Sequence, residues 1–157
     1  MRQLLLRLCA LLAALGLPAC DGVTRLRPGI SSAAEVRNIM GEPGMEWQNP
    51  DGSRTWEYSR QPEGKECFML TLGPDAVLQS VEQVITPENL ARVRPGMGKD
   101  EIRRLLGKPR SVQAYALKQE EVWDWKTGRE VATDQFFNVH FDPDGRVFRT
   151  SQSQDMH

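Results

Sequence analysis

The chain has 157 residues with 20 basic and 21 acidic side chains, and 39% of its residues are hydrophobic. A near-neutral balance of this kind lacks the basic stripe with which nucleic-acid binders gather phosphates, so that class is excluded. The length holds one ordinary domain, or two small ones that share a core.

The first 19 residues read as a secretory leader: a basic start at Arg2 and Arg7, an apolar run from Leu8 to Leu17, and a small residue, Ala19, just before Cys20. The apolar run is short for a bilayer span. Leu17-Pro18-Ala19-Cys20 resembles a bacterial lipobox, which makes Cys20 the expected lipidation site and residue 20 the first of the mature chain. Three acyl chains on one cysteine anchor a protein far more firmly than one. Cys9 leaves with the leader, so Cys67 has no partner for a structural disulfide and is expected to be a small packed side chain. An exported, lipid-anchored chain of this kind faces the periplasm. Asp21 directly after the lipidated cysteine is the residue that tends to retain enteric lipoproteins in the inner membrane.

A short tether, residues 20–25, reaches on the order of 20 Å when extended, which keeps the first folded unit close to the membrane. Residues 26–85 and 86–150 then repeat one plan. Leu26-Arg27-Pro28-Gly29 is answered by Val93-Arg94-Pro95-Gly96, the helix triplet Val36, Ile39, Met40 by Ile102, Leu105, Leu106, and the stop Gly41-Glu42-Pro43 by Gly107-Lys108-Pro109. A helix of about two turns is unstable alone and must lay its apolar triplet on a neighbour. Ser32 with Glu35 reads as a capping box, and Gly98 takes the matching place as a weaker cap.

After each helix the pattern becomes strand-like. In the first unit Met45 and Trp47 alternate with polar residues, Asn49-Pro50-Asp51-Gly52 turns, and Trp56-Glu57-Tyr58 resumes the alternation. Phe68, Leu70 and Leu72 then share a face, and Val77 to Val84 runs back after Gly73-Pro74-Asp75-Ala76. Thr86-Pro87-Glu88 opens the second unit with a cap, a proline at the first helical position and an acid in the first turn. Its strands are expected at Ser111–Tyr115, Val122–Trp125, Phe137–Phe141 and through Val147 and Phe148, with Asp142-Pro143-Asp144-Gly145 as a turn rather than a calcium loop. Residues 151–157 read as a loose polar tail. The fold class expected is α+β: two tandem units, each with short helices on one face of an antiparallel sheet of three to four strands, whose sheets could join into a longer surface.

Chemistry is sparse in the sequence. A nucleophile-and-base hydrolase needs a histidine beside a serine or cysteine, and His140 alone lies in the folded region; it faces away from Phe137, Val139 and Phe141, as a solvent-facing or groove residue. No pair of cysteines or histidines has metal-ligand spacing, and no glycine-rich phosphate cradle is complete. An enzyme is not expected, and neither is a cofactor or a metal. Five aromatics, Trp47, Trp56, Tyr58, Trp123 and Trp125, exceed what two small sheets require inside, so some are expected on a binding surface.

The repeated helix with its Gly-x-Pro stop, followed by a turn and an aromatic strand, resembles the SmpA/OmlA (BamE-like) family of outer-membrane lipoproteins. The closest likeness is in the first unit, over Asn49-Pro50-Asp51-Gly52-Ser53-Arg54-Thr55-Trp56-Glu57-Tyr58 and Arg60-Gln61-Pro62. The resemblance implies a fold similar to the β-lactamase inhibitor protein, partners among the subunits of the β-barrel assembly machine, contact with anionic phospholipid, and an outer-membrane address, lipid-anchored and facing the periplasm, with the inner membrane as the alternative through Asp21. Carried over by position, it implies Pro50, Asp51, Gly52, Arg54, Trp56, Tyr58 and Arg60 as partner- or lipid-binding residues. The function it implies is non-enzymatic assistance to outer-membrane β-barrel assembly; the alternative is an inhibitor-like module that clasps an enzyme or a cell-wall component.

Overall fold

The computed structural model of the protein describes residues 22–156; Cys20 and Asp21, and with them the lipidation reading, lie outside the described residues. A 3-10 turn over Gly22–Arg25 leads into α1 (Ala33–Met40), β1 (Met45–Gln48), β2 (Arg54–Ser59), β3 (Cys67–Leu72) and β4 (Leu78–Gln83). Then come α2 (Pro87–Leu90), α3 (Lys99–Leu106), β5 (Ser111–Tyr115), a 3-10 turn over Ala116–Lys118, β6 (Glu120–Glu130), β7 (Thr133–Phe141) and β8 (Val147–Met156). The strands form two antiparallel four-stranded sheets, β1-β2-β3-β4 and β5-β6-β7-β8, so the fold is mixed α+β. The two remain separate sheets and do not merge into one.

Caps act where the sequence places them, and the capping box is divided between the two units. Ser32 Oγ accepts the Glu35 N–H at 3.2 Å at the start of α1. Gly98 has no hydroxyl to offer, and α3 uses the other half: the Glu101 carboxylate accepts the Gly98 N–H at 2.7 Å. Thr86 Oγ1 accepts the Asn89 N–H at 3.2 Å ahead of α2.

Matching hydrogen bonds recur in both halves. Gly29 N–H donates to the Leu78 carbonyl at 2.7 Å, and Gly96 N–H to the Val147 carbonyl at 2.7 Å. Tyr58 donates its hydroxyl to the Gly41 carbonyl at 3.0 Å, and Trp125 donates its indole N–H to the Gly107 carbonyl at 3.2 Å. Both acceptors close a helix at positive φ, +82° for Gly41 and +76° for Gly107, where the last carbonyls lack intrahelical partners. A large aromatic on the second strand of each sheet therefore fastens the end of a helix.

Two clusters of buried side chains form the core. One joins Leu26 and Val36 to Trp56, Tyr58, Leu70, Leu72 and Leu78. The other draws on both halves of the chain: Cys67, Met69 and Val84 with Val93, Ile102, Leu106, Trp125, Phe137, Val139 and Phe141. Gly107 sits directly against Cys67, and any side chain at 107 would overlap the sulfur. Burial pushes the Cys67 thiol up to about 12, so it is the packed, inert residue expected.

Polar contacts cross the same junction. Arg103 on α3 grips the fully buried Glu57 on β2 with two bonds of 2.7 Å. The Gln61 side chain donates to the Lys126 carbonyl at 2.9 Å and accepts the Lys126 N–H at 3.0 Å, imitating a strand pair.

The segment read as a loose tail is a correction. Residues 151–156 continue β8, in register with β7 from Asn138↔Ser151 to Thr133↔Met156. The β6–β7 hairpin extends beyond the stretch read from hydrophobicity, and the polar β8 completes it as an outer strand whose residues from Gln152 to Asp155 are exposed.

Ser32→Ala is expected to lower stability by about 1 kcal/mol, read as a shift of the urea midpoint. Arg103→Ala, which strands the Glu57 charge, is expected to cost roughly 3–5 kcal/mol, while Glu57→Leu with Arg103→Leu recovers most of that loss; a double-mutant cycle in urea measures both.

Candidate functional site

The stretch Asn49 to Arg60 forms the β1–β2 turn and strand β2. Asp51 accepts the Ser53 N–H at 2.9 Å and the Ser53 hydroxyl at 2.6 Å, and these bonds hold its carboxyl below the usual range. Asn49 Nδ2 donates to Ser53 Oγ and Thr55 Oγ1, each at 3.0 Å, and Gly52 takes the positive φ (+84°) that closes the turn. Pro50, Asp51, Gly52 and Arg60 are exposed and Arg54 is half-buried.

Trp56 and Tyr58 are placed differently from the expectation that they meet a partner. Trp56 is 0% exposed and Tyr58 is 8% exposed, both inside the first core cluster. Alternation along β2 turns them inward, because the apolar area of these rings is worth more under α1 than in water. Arg37 stacks 4.3 Å from the centre of the Trp56 ring and Arg54 at 5.7 Å, so the guanidinium groups present the ring's outer face to solvent in cationic form. Burial pushes the Tyr58 hydroxyl up to about 12. Among the other aromatics, Trp125 is fully buried, and Trp47 and Trp123 are half-buried.

The second unit carries a polar face that the sequence shows only as alternation. The register Val122↔His140, Asp124↔Asn138, His140↔Arg149 and Asn138↔Ser151 lines these residues up on one side of the second sheet. His140 is 6% exposed and lies at the base of a groove, the second of the two placements expected for it. Its Nε2 is 2.9 Å from Ser151 Oγ and its Nδ1 is 3.3 Å from Glu120, which Arg149 also contacts at 3.3 Å. Asn138 Nδ2 donates to Ser151 Oγ at 3.2 Å and to Ser153 Oγ at 3.1 Å. Beside them Asp124 is held by Arg110 and the Ser111 hydroxyl.

Serine, histidine and carboxylate thus stand in the order of a catalytic triad, yet the chemistry is that of a network satisfying buried polar groups. Ser151 Oγ already takes a bond from Asn138, and the Glu120 charge is shared between His140 and Arg149, so neither nucleophile nor base is set apart for reaction. Glu120, Asn138 and Ser151 were not singled out by sequence reasoning. Their signal was an alternation of polar residues along β6, β7 and β8, interrupted by Val122 and Phe136, which gains meaning only once the register is known.

His140 makes the face sensitive to acid. Burial and then Arg149 lower its pKa, so the folded protein favours the neutral ring. Below the ordinary histidine value near 6.5 the unfolded chain takes up the proton first, and stability falls with pH down to the depressed folded value. Burial raises the Glu120 carboxyl, but His140 and Arg149 outweigh it and hold the group below its ordinary value; its contribution is lost at still lower pH. Urea unfolding at pH 7.5 and 5.5 is expected to show a smaller loss of stability on acidification in His140→Gln than in the wild type.

Residues 82–150 match the family described as the outer membrane protein assembly factor BamE domain. The match falls on the second unit, whereas the residue-by-residue likeness was strongest in the first. Among curated proteins, none matches the chain. A solved structure of a DUF4309 family protein (YjgB) from Bacillus subtilis subsp. subtilis str. 168 is similar at 16% identity over 83% of this chain and 82% of that chain, with a TM-score of 0.32. Residues 82–150, comprising the helices α2 and α3 and most of the second sheet, are thus similar to the BamE domain, which supports the family that the sequence resembles.

Proposed function

We propose that the protein is a lipid-anchored, periplasm-facing, non-enzymatic component of outer-membrane β-barrel assembly, built as two tandem units in the manner of the β-lactamase inhibitor protein. The observation that carries this reading is the BamE-domain match over residues 82–150, whose family is one of assembly factors. The basic start, apolar run and Cys20 at the head of the sequence support the anchor. The recurring helix-end and strand contacts of the two halves support the tandem plan.

Within this reading the partner surface is the β1–β2 turn with the cations of β2. Pro50, Asp51 and Gly52 shape an exposed loop, Arg54 supplies charge beside it, and Arg60 supplies charge at the far end of β2. Arginine side chains resting on aromatic rings, as Arg54 on Trp56 and Arg60 on Phe68, lose little further freedom when a partner binds. Trp56 and Tyr58 serve this surface from inside, by holding the strand that presents it. The same cations suit anionic phospholipid headgroups at the membrane to which residue 20 would tether the unit.

A second reading, an inhibitor-like module that clasps an enzyme or a cell-wall component, is favoured by the groove of about 500 Å3 on the polar face of the second sheet. Co-purification of one stoichiometric hydrolase would support it.

Affinity capture of the full-length protein from detergent-solubilised envelopes is expected to recover barrel-assembly subunits; recovery of none of them overturns the leading reading. Arg54→Glu with Arg60→Glu is expected to reduce that capture roughly tenfold, about 1.4 kcal/mol, with the urea midpoint little changed. Cys20→Ala is expected to move the protein from the membrane fraction to the soluble periplasm, as read by fractionation.

A further inference from the structure

Strand β8 is the outer strand of the second sheet, paired on one side with β7. Its length, Val147–Met156, exceeds that of the corresponding strand of the first unit, β4, over Leu78–Gln83. Exposed edges of this kind are normally blunted by proline, lysine, a bulge or brevity, because their free N–H and C=O groups invite another strand. From Arg149 to Asp155 the edge carries neither proline nor lysine, and every residue but the half-buried Ser151 is exposed. The register irregularity in this pair falls at the other end, between His140 and Phe141.

We infer that β8 is a self-recognition edge, through which a second copy of this chain adds antiparallel about a two-fold axis at Gln152. The argument is charge complementarity along the strand. Cross-strand neighbours share a face, and in this register Arg149 stands opposite Asp155 of the other copy, Thr150 opposite Gln154, Ser151 opposite Ser153, and Gln152 opposite itself. Arg149 and Asp155 both lie on the polar face with His140, so the two ion pairs form there at both ends of the contact, with the exposed Arg149 shared between Glu120 of its own copy, at 3.3 Å, and Asp155 of the other. Centring the pair on Ser151 or Ser153 instead takes Arg149 off Asp155 and forfeits both.

Pairing in this way joins two four-stranded sheets into one of eight strands and brings the two polar grooves side by side. The contact is isologous, each copy offering the same residues, and it closes on itself at two.

Cysteine pairs in the full-length protein read the register directly. Residues opposite each other on antiparallel strands have Cα atoms about 4.5–5.5 Å apart, within disulfide reach. Gln152→Cys is expected to give a disulfide-linked dimer on non-reducing gels at roughly ten times the wild-type background. Gln154→Cys lies opposite position 150 of the other copy, roughly 13 Å from itself, and is expected to stay at background until mixed with Thr150→Cys. The buried Cys67 and any contribution from Cys20 are contained in the wild-type control. Asp155→Arg is expected to reduce the Gln152→Cys dimer several-fold, and adding Arg149→Asp to restore it. Equal cross-linking of Q152C and Q154C, or no gain on mixing T150C with Q154C, overturns the inference, as does a charge reversal that leaves the dimer yield unchanged.

Discussion

Glu57 is a fully buried carboxylate, and both of its oxygens are taken by Arg103 from the other half of the chain. An ion pair of this kind contributes little net stability over an apolar pair of the same shape, since both charges give up water. What it does contribute is geometry. A guanidinium meets a carboxylate through two parallel bonds in one orientation only, so Arg103 sets how α3 lies against the first sheet. The rest of the junction follows from that placement: Gly107 can close against Cys67, Ile102 and Leu106 can enter the core between Met69 and Trp125, and Gln61 can reach the backbone of Lys126.

The corresponding acid of the second unit, Asp124, is satisfied locally by Arg110 and Ser111. That difference gives the two sheets different roles. Where Glu57 stands, the sheet face is engaged by a helix of the other unit. Around Asp124 the face remains a polar groove with buried His140, Glu120 and Asn138 beneath a rim that includes Arg110, Lys118 and Arg149. The two sheets therefore present one internal face and one open one, and most of the open one lies within residues 82–150, which match the BamE domain.

Burial also divides the aromatics by role. Trp56, Tyr58 and Trp125 hold helix ends and core, and their polar tips or faces are matched by a carbonyl or by Arg37. The indole N–H of Trp56 is buried without a hydrogen-bond acceptor, and the stacked guanidinium is the compensation that the ring receives. Along β2 the rings of Trp56 and Tyr58 thus turn inward, while Arg54 is half-buried and Arg60 is exposed.

Local chemistry was legible in the sequence wherever a residue acts on its own neighbours. Ser32, Thr86, Gly41 and Gly107 mark helix ends because caps and positive φ are decided within four residues. Strand alternation located β1 to β5 closely but only part of β6, β7 and β8, and Cys67 could be assigned to packing from its apolar setting alone. The family resemblance was also carried by sequence, through spacing of glycine, glutamate and proline. Tertiary structure decided what depends on register and on distant partners: which faces Trp56 and Tyr58 present, that His140 meets Glu120 and Ser151, that Glu57 meets Arg103, and that residues 151–156 form a strand. A polar residue at every second position reads equally as a solvated face, a lined groove or a loose tail. Only the neighbouring strand, supplied from elsewhere in the chain, determines which of these it becomes.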